Sequence, residues 1–137
     1  MSVVQVAPGE TGEVRGGVIA YLQVDGAVKA ADYYARAFGA REVARAPLDE
    51  KGRTMHLHLY INEGSLMLCD VYEEHGHPLE KPGGMTLTLN VTDPDMWWER
   101  ATKAEGTVVE VELQEMFWGS RWGQVRDPFG FSWAITG

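Results

Sequence analysis

A self-similarity at a fixed spacing constrains this chain more than any other feature. The stretches Val24 to Gly39 and Val91 to Gly106 each run from a strand-like end, through a helix-like segment, to a glycine, and both offsets are 67 residues (91 − 24 and 106 − 39). In the first copy, VIAYLQV (18–24) alternates with period two, as a half-buried strand does. Asp25-Gly26 turns the chain, and AVKAADYYARAF (27–38) reads as a helix closed by Gly39, where a left-handed residue is expected. In the second copy, MTLTLNV (85–91) alternates, Asp93-Pro94 opens a helix that runs through Glu105, and Gly106 ends it. Strand candidates at 41–46, 54–61 and 65–71 follow the first helix, and others at 107–113, 122–126 and 131–136 follow the second. A repeated β-α-β-β-β unit describes both halves.

The expected organisation is one α+β domain over 17–137, with module 1 at about 17–71, a Pro/Gly-rich linker at 72–84 and module 2 at about 85–137. Residues 1–16 show no periodicity and read as a mobile arm. Neither four-stranded half buries its sheet alone, so each must pack against the other or against a second subunit. A two-fold homodimer burying more than roughly 1,000 Å² is expected.

Charge and composition narrow the partners. The formal charge is −8, from 12 Lys and Arg against 20 Asp and Glu, which repels a phosphate backbone, so nucleic acid is not an expected partner. A small cationic ligand is favoured electrostatically, although acidity also simply keeps proteins soluble. No apolar run approaches the roughly 20 residues of a membrane span. The first residues lack a charged start followed by an apolar stretch, and Cys69 is the single cysteine, which together point to a reducing cytoplasm.

Five segments carry a resemblance. They are Tyr33-Tyr34-Ala35-Arg36-Ala37-Phe38-Gly39-Ala40, Met55-His56, Leu66-Met67-Leu68-Cys69-Asp70, Phe117-Trp118-Gly119-Ser120-Arg121, and Asp127-Pro128-Phe129-Gly130 with Trp133. In this order they resemble the vicinal-oxygen-chelate superfamily (glyoxalase, bleomycin resistance, dioxygenase), and within it the PhnB-like branch. The chain departs from that branch at Ser120, where Asp is usual, and at Phe131, where His is usual. The resemblance implies two βαβββ modules forming a cup-shaped sheet, and in metal-dependent members a divalent ion held at four positions. Those positions fall here on Ile19, Met67, Thr86 and Ala134, with Cys69 replacing Met67 if that strand shifts by two. A divalent ion needs nitrogen and oxygen donors of the His, Gln or Glu kind, so neither metal nor any other cofactor is expected there.

If those four positions face inward, strand alternation brings Tyr21, Gln23, Met67, Cys69, Thr88, Asn90, Ser132 and Thr136 to the cup, with Val18, Ala20, Leu22, Val24, Met85 and Leu87 behind. A mixed polar wall of this kind fits a small-ligand pocket, or equally a sheet with one wet face. His56 and His58 share one strand face and either bind a ligand or metal, or make ordinary surface hydrogen bonds. Trp118, Arg121 and Trp122 either grip an aromatic or anionic ligand or simply close a loop. Asp70, Glu110 and Glu112 either supply carboxylates for acid–base work or are solvated edge-strand groups, since spacing shows no convergent pair, and His75 and His77 read as a solvated loop. Two functions remain open: a protein that binds a small organic molecule without metal, or an enzyme of lyase, isomerase or dioxygenase type with a divalent metal near His56/His58.

Overall fold

The computed structural model describes residues 4–137, so the first three residues of the expected arm lie outside it. Two units emerge, one formed by the chain up to Ala35 with Gly39–Glu80, the other by Arg36–Phe38 with Lys81–Gly137. In the first, β1 (Gln5–Val6) precedes β2 (Tyr21–Val24), α1 (Ala27–Phe38), β3 (Arg41–Arg45), β4 (Leu57–Ile61) and β5 (Gly64–Asp70). Its sheet runs β1-β3-β4-β5-β2, with β2 and β5 parallel and the other neighbours antiparallel. In the second, β6 (Leu87–Asn90), α2 (Pro94–Lys103), β7 (Val108–Glu115), β8 (Arg121–Arg126) and β9 (Ser132–Thr136) form a sheet in the order β6-β9-β8-β7, with β6 and β9 parallel. The parallel pairs share one register. Tyr21 lies beside Met67 and Thr88 beside Ala134, and both positions advance by 67 between modules (88 − 21 and 134 − 67). The chain is an α+β protein built from two βαβββ modules. None of its helices, among the described residues, is long and apolar enough to cross a membrane.

Helix α1 occupies the expected span and buries Ala27, Ala30, Tyr34, Ala37 and Phe38, the spacing of one helix face. Gly39 ends it at φ 67°, with its N–H returning to the Ala35 carbonyl. The two helix starts differ. Asp93 caps α2 by accepting from the Met96 N–H at 3.1 Å, with Pro94 in the first turn. The equivalent residue of α1, 67 positions earlier, is Gly26, which has no side chain to offer. Asp70, at the end of β5, takes its place: Oδ1 accepts from the Gly26 and Ala27 N–H groups at 2.9 Å each, and Oδ2 from the Thr54 N–H at 2.8 Å.

Three expectations are corrected. Residues 4–16 of the supposed arm are tied to module 1. β1 pairs with the edge of β3, Glu10 meets Arg41 at 2.7 Å, the Glu13 carbonyl accepts from the Tyr60 hydroxyl at 2.6 Å, and the Arg15 guanidinium lies 3.8 Å over the Tyr60 ring. The segment is held by isolated contacts rather than by a repeating face, so it shows no period. Val18 was expected on the buried face of the first strand but is 97% exposed. The Ser65 N–H bonds the Arg15 carbonyl and the Met67 N–H bonds that of Ala20, so residues 16–19 loop out between two consecutive sheet bonds. Met85 likewise lies before β6 and is exposed. The linker is not structureless either. Its first part carries a 3-10 turn at Glu73–His75 and a Tyr72–His77 bridge, and Glu74 clamps Arg53 through both carboxylate oxygens at 2.9 and 2.7 Å.

Candidate functional site

Pairing registers decide which side chains share a face, because directly opposed residues point the same way. In module 1, Tyr21 opposes Met67 and Gln23 opposes Cys69, while His58 opposes Met67 across the antiparallel β4–β5 pair. Tyr21, Gln23, Met67, Cys69 and His58 therefore line one face, and Leu22, Val24, Leu66 and Leu68 are buried behind it. His56 sits just before β4, not in it, and turns its ring to within 5.7 Å of that of Tyr21.

Tyr21 is the hub of this face and is 48% exposed. Its hydroxyl lies 2.9 Å from His56 Nδ1 and 3.1 Å from the Met55 carbonyl, and Cys69 projects from the same face. One hydroxyl proton serves several acceptors, so the His56 tautomer decides which of them receives it. Burial pushes the phenol up to about 12, and neighbouring Cys69 adds to the rise. Burial lowers the His56 imidazole, and burial, then the Asp70 carboxylate, raise the Cys69 thiol. At neutral pH the cluster therefore carries a phenol, a neutral imidazole and a thiol. It is an uncharged surface of hydrogen-bonding groups and polarisable sulfur, with Met67 beside it.

His58 does not join this cluster as a ligand residue. It is 2% exposed and its Nε2 lies 2.7 Å from Ser65 Oγ, which also accepts from the Arg15 N–H. Its pKa is lowered by burial and by His56. The expected His56/His58 pair does not converge on open space, because one imidazole is locked inside while the other turns toward Tyr21.

In module 2 the antiparallel register places Trp122 opposite Thr136 and Gln124 opposite Ala134. Thr88, Asn90 and Trp122 thus share the face that also carries Ala134 and Thr136. Arg121 is on the reverse face. Its Nη2 donates to Asp95 in the first turn of α2 at 2.8 Å, so the guanidinium turns toward that helix. Trp118, 52% exposed, stands with Phe117 at the tip of the β7–β8 hairpin, where the Met116 N–H closes the turn onto the Ser120 carbonyl. Within module 1 the structure groups Tyr21, Gln23, His56 and Met67, and within module 2 it groups Thr88, Asn90 and Trp122.

Sequence reasoning missed three roles. Alternation put Cys69 on the same face as Tyr21, but nothing local marks its thiol as a neighbour of the Tyr21 hydroxyl. Asp70, read as a carboxylate for acid–base work or a solvated edge group, is buried under α1. Glu110 is held by Ser132 Oγ at 2.6 Å, Gln124 Nε2 at 3.1 Å and Arg126 Nη2 at 2.6 Å, which lowers its pKa, chiefly through Ser132.

The donor set at the four superfamily positions can be tested chemically. Ile19 and Ala134 offer no donor, Thr86 a neutral hydroxyl and Met67 a soft thioether. These residues do not fit a hard or borderline divalent ion. Among the described residues, no group of three or more His, Cys, Asp or Glu side chains converges as metal ligands would.

Two βαβββ modules in the same register, each with its first and last strands parallel, define a class of α+β protein. A family model confirms it: the description "Glyoxalase/Bleomycin resistance protein/Dioxygenase superfamily" matches residues 17–135, and the chain belongs to that family. An uncharacterized protein of Mycobacterium tuberculosis is 40% identical over 121 residues, which cover 84% of this chain and 70% of that protein. The crystal structure of TioX from Micromonospora sp. ML1 superposes with TM-score 0.69 and 29% identity, over 88% of this chain and 97% of TioX. A PhnB protein from Bacillus cereus superposes with TM-score 0.64 over 88% of this chain and 98% of its own, and at 19% identity this is a likeness of fold.

Proposed function

We propose that this chain is a PhnB-like binding protein that holds a small, uncharged organic molecule on the Tyr21 face of module 1, without the superfamily's divalent metal. The observation that carries this reading is the contact of the Tyr21 hydroxyl with His56 Nδ1 at 2.9 Å on a half-exposed face, with Met67 and Cys69 alongside. Every titratable group in that cluster is neutral near pH 7, so recognition rests on hydrogen bonds and on stacking rather than on charge. The −8 net charge acts at longer range and does not alter this local balance. Phenol, a neutral aromatic with one hydroxyl edge, is a suitable probe. Its binding should perturb the NMR signals of Tyr21, Met67 and Cys69, persist in EDTA, and weaken about 3- to 10-fold in Tyr21→Phe, the scale of one hydrogen bond. Loss of binding in EDTA, or a Tyr21→Phe protein that binds phenol unchanged, would sink the reading.

The same chain is proposed to act as a two-fold homodimer in the cytoplasm. Phe117, 95% exposed, and Trp118 present an aromatic pair at a hairpin tip, and such a pair in water is costly unless covered. Light scattering should give about 30 kDa, twice 15.2 kDa, at micromolar concentration. The double variant Phe117→Ser/Trp118→Ser should be monomeric. A monomeric parent protein would refute the assembly.

A further inference from the structure

Module 2 holds a cavity of about 240 Å³ that the Tyr21 site does not involve. It lies between residues 81–87, entering β6, and the Gly130–Ser132 turn entering β9, and Arg126 of β8 lines it as well. We propose that this cavity is a second binding site, for a small organic carboxylate, with Arg126 and Lys81 holding the carboxylate and Met85, Leu87 and Phe131 covering the apolar part.

Arg126 is held in place by its neighbours. Its Nη2 donates to Glu110 Oε2 at 2.6 Å, and Glu110 is itself fixed by Ser132 Oγ at 2.6 Å and Gln124 Nε2 at 3.1 Å. Three strands, β7, β8 and β9, thus position one guanidinium at the cavity wall. A side chain buttressed in this way loses little freedom when it meets a ligand. Only Nη2 is committed to Glu110, which leaves donors for a second acceptor.

The nearby carboxylates are already satisfied. Glu110 accepts from three groups, and Asp127 accepts from the Phe129 and Phe131 N–H groups and from Trp133 Nε1. Neither has a strong reason to draw the second cation away. Lys81 also lines the cavity, and among the described residues it has no carboxylate within ion-pair distance. Two cations at one cavity are notable in a chain of net charge −8. The volume lies below the roughly 300 Å³ at which drug-sized ligand sites begin, so the guest is small. Met85, Leu87, Pro82 and Phe131 give it an apolar wall, which inorganic phosphate would leave unused.

Benzoate, its neutral isostere benzamide and inorganic phosphate separate the alternatives by NMR titration. Benzoate should shift the amides of Gly83, Gly84 and Gly130 to Ser132, with a dissociation constant on the order of 1 mM or tighter. Benzamide and phosphate should each bind at least about fivefold more weakly, since each lacks one half of the recognition. Arg126→Gln should weaken benzoate by about tenfold, Lys81→Gln by a few-fold, and Tyr21→Phe not at all. Because Arg126 is largely exposed, neither variant should disturb folding, which circular dichroism checks. Benzoate that leaves these amides unmoved, that binds no better than benzamide or phosphate, or that binds equally to Arg126→Gln and Lys81→Gln would overturn the proposal. Loss of phenol binding at Tyr21 would leave it standing.

Discussion

Replacing Asp70 by alanine should lower the unfolding free energy by about 4 kcal/mol, on the scale of stranding several buried donors that had a charged acceptor. Three backbone N–H groups depend on this one carboxylate: those of Gly26, Ala27 and Thr54. The first two belong to the start of α1, whose cap residue is a glycine in a left-handed conformation and whose first turn holds no acidic residue. Asp70 therefore supplies both the missing cap and the negative charge that the positive helix end favours. The third bond ties the segment entering β4 to the same point, so the substitution loosens α1 and β4 together. Asn should fall between Asp and Ala, because its amide NH2 must face one of the N–H donors. Urea unfolding at pH 7 measures all three proteins. An alanine variant within about 1 kcal/mol of the parent would show that water replaces the carboxylate without loss.

Gly123→Ala should cost about 3 kcal/mol, the upper end of overpacking penalties, because there is no room for a methyl group. A Cβ on Gly123 would lie 2.6 Å from the Trp98 ring of α2 and 2.8 Å from the Leu113 Cα of β7. The glycine sits opposite the irregular stretch of β7 between Val111 and Gln114, where the ladder register shifts and the strands crowd. Trp98→Leu in the same protein should recover only part of the loss, since the backbone of Leu113 cannot yield as a side chain can. Thermal unfolding of the single and double variants checks this. Full recovery in the double variant would place the whole clash on the indole. Gly119, by contrast, meets nothing within 4 Å, and its φ of 96° makes it a turn residue and not a close-approach one.

The module-1 face shows how far sequence reading reached. Alternation alone put Tyr21 and Gln23 on the side opposite Leu22 and Val24, and Met67 and Cys69 opposite Leu66 and Leu68, as the structure has them. By the same parity Val18 was expected in the β2 strand, but residues 16–19 leave the ladder between two β5 bonds, the second of them to the Ala20 carbonyl. Alternation reports side-chain parity but not whether a backbone partner is present. The His56/His58 pair was legible as two imidazoles of one parity. That one of them is sealed beneath Ser65 and the 13–15 segment depends on a contact 50 residues apart in the chain, between Arg15 and Ser65.

Local sequence was enough for the repeat, the two helices, the glycine that closes α1, and the parity of the first and last strand of each module. These follow from local periodicity and from backbone conformations that few residues adopt, both of which act over a handful of positions. Helix α2 stops earlier than expected, at Lys103 with Ala104 as its cap, so Gly106 does not close it. Donor chemistry is likewise a property of residue type, so the lack of His, Gln or Glu at Ile19, Met67, Thr86 and Ala134 is readable without a fold. Long-range packing is what brings Asp70 to the start of a helix more than 40 residues away, turns Arg121 toward α2 while Trp122 faces the other side, and braces Arg126 with Glu110. Those outcomes rest on strand register, and a shift of one residue moves every side chain of a strand to the opposite face. In β7 the register shifts twice, between Val109 and Val111 and again between Val111 and Gln114, through long-range pairing with β8 that no local pattern announces.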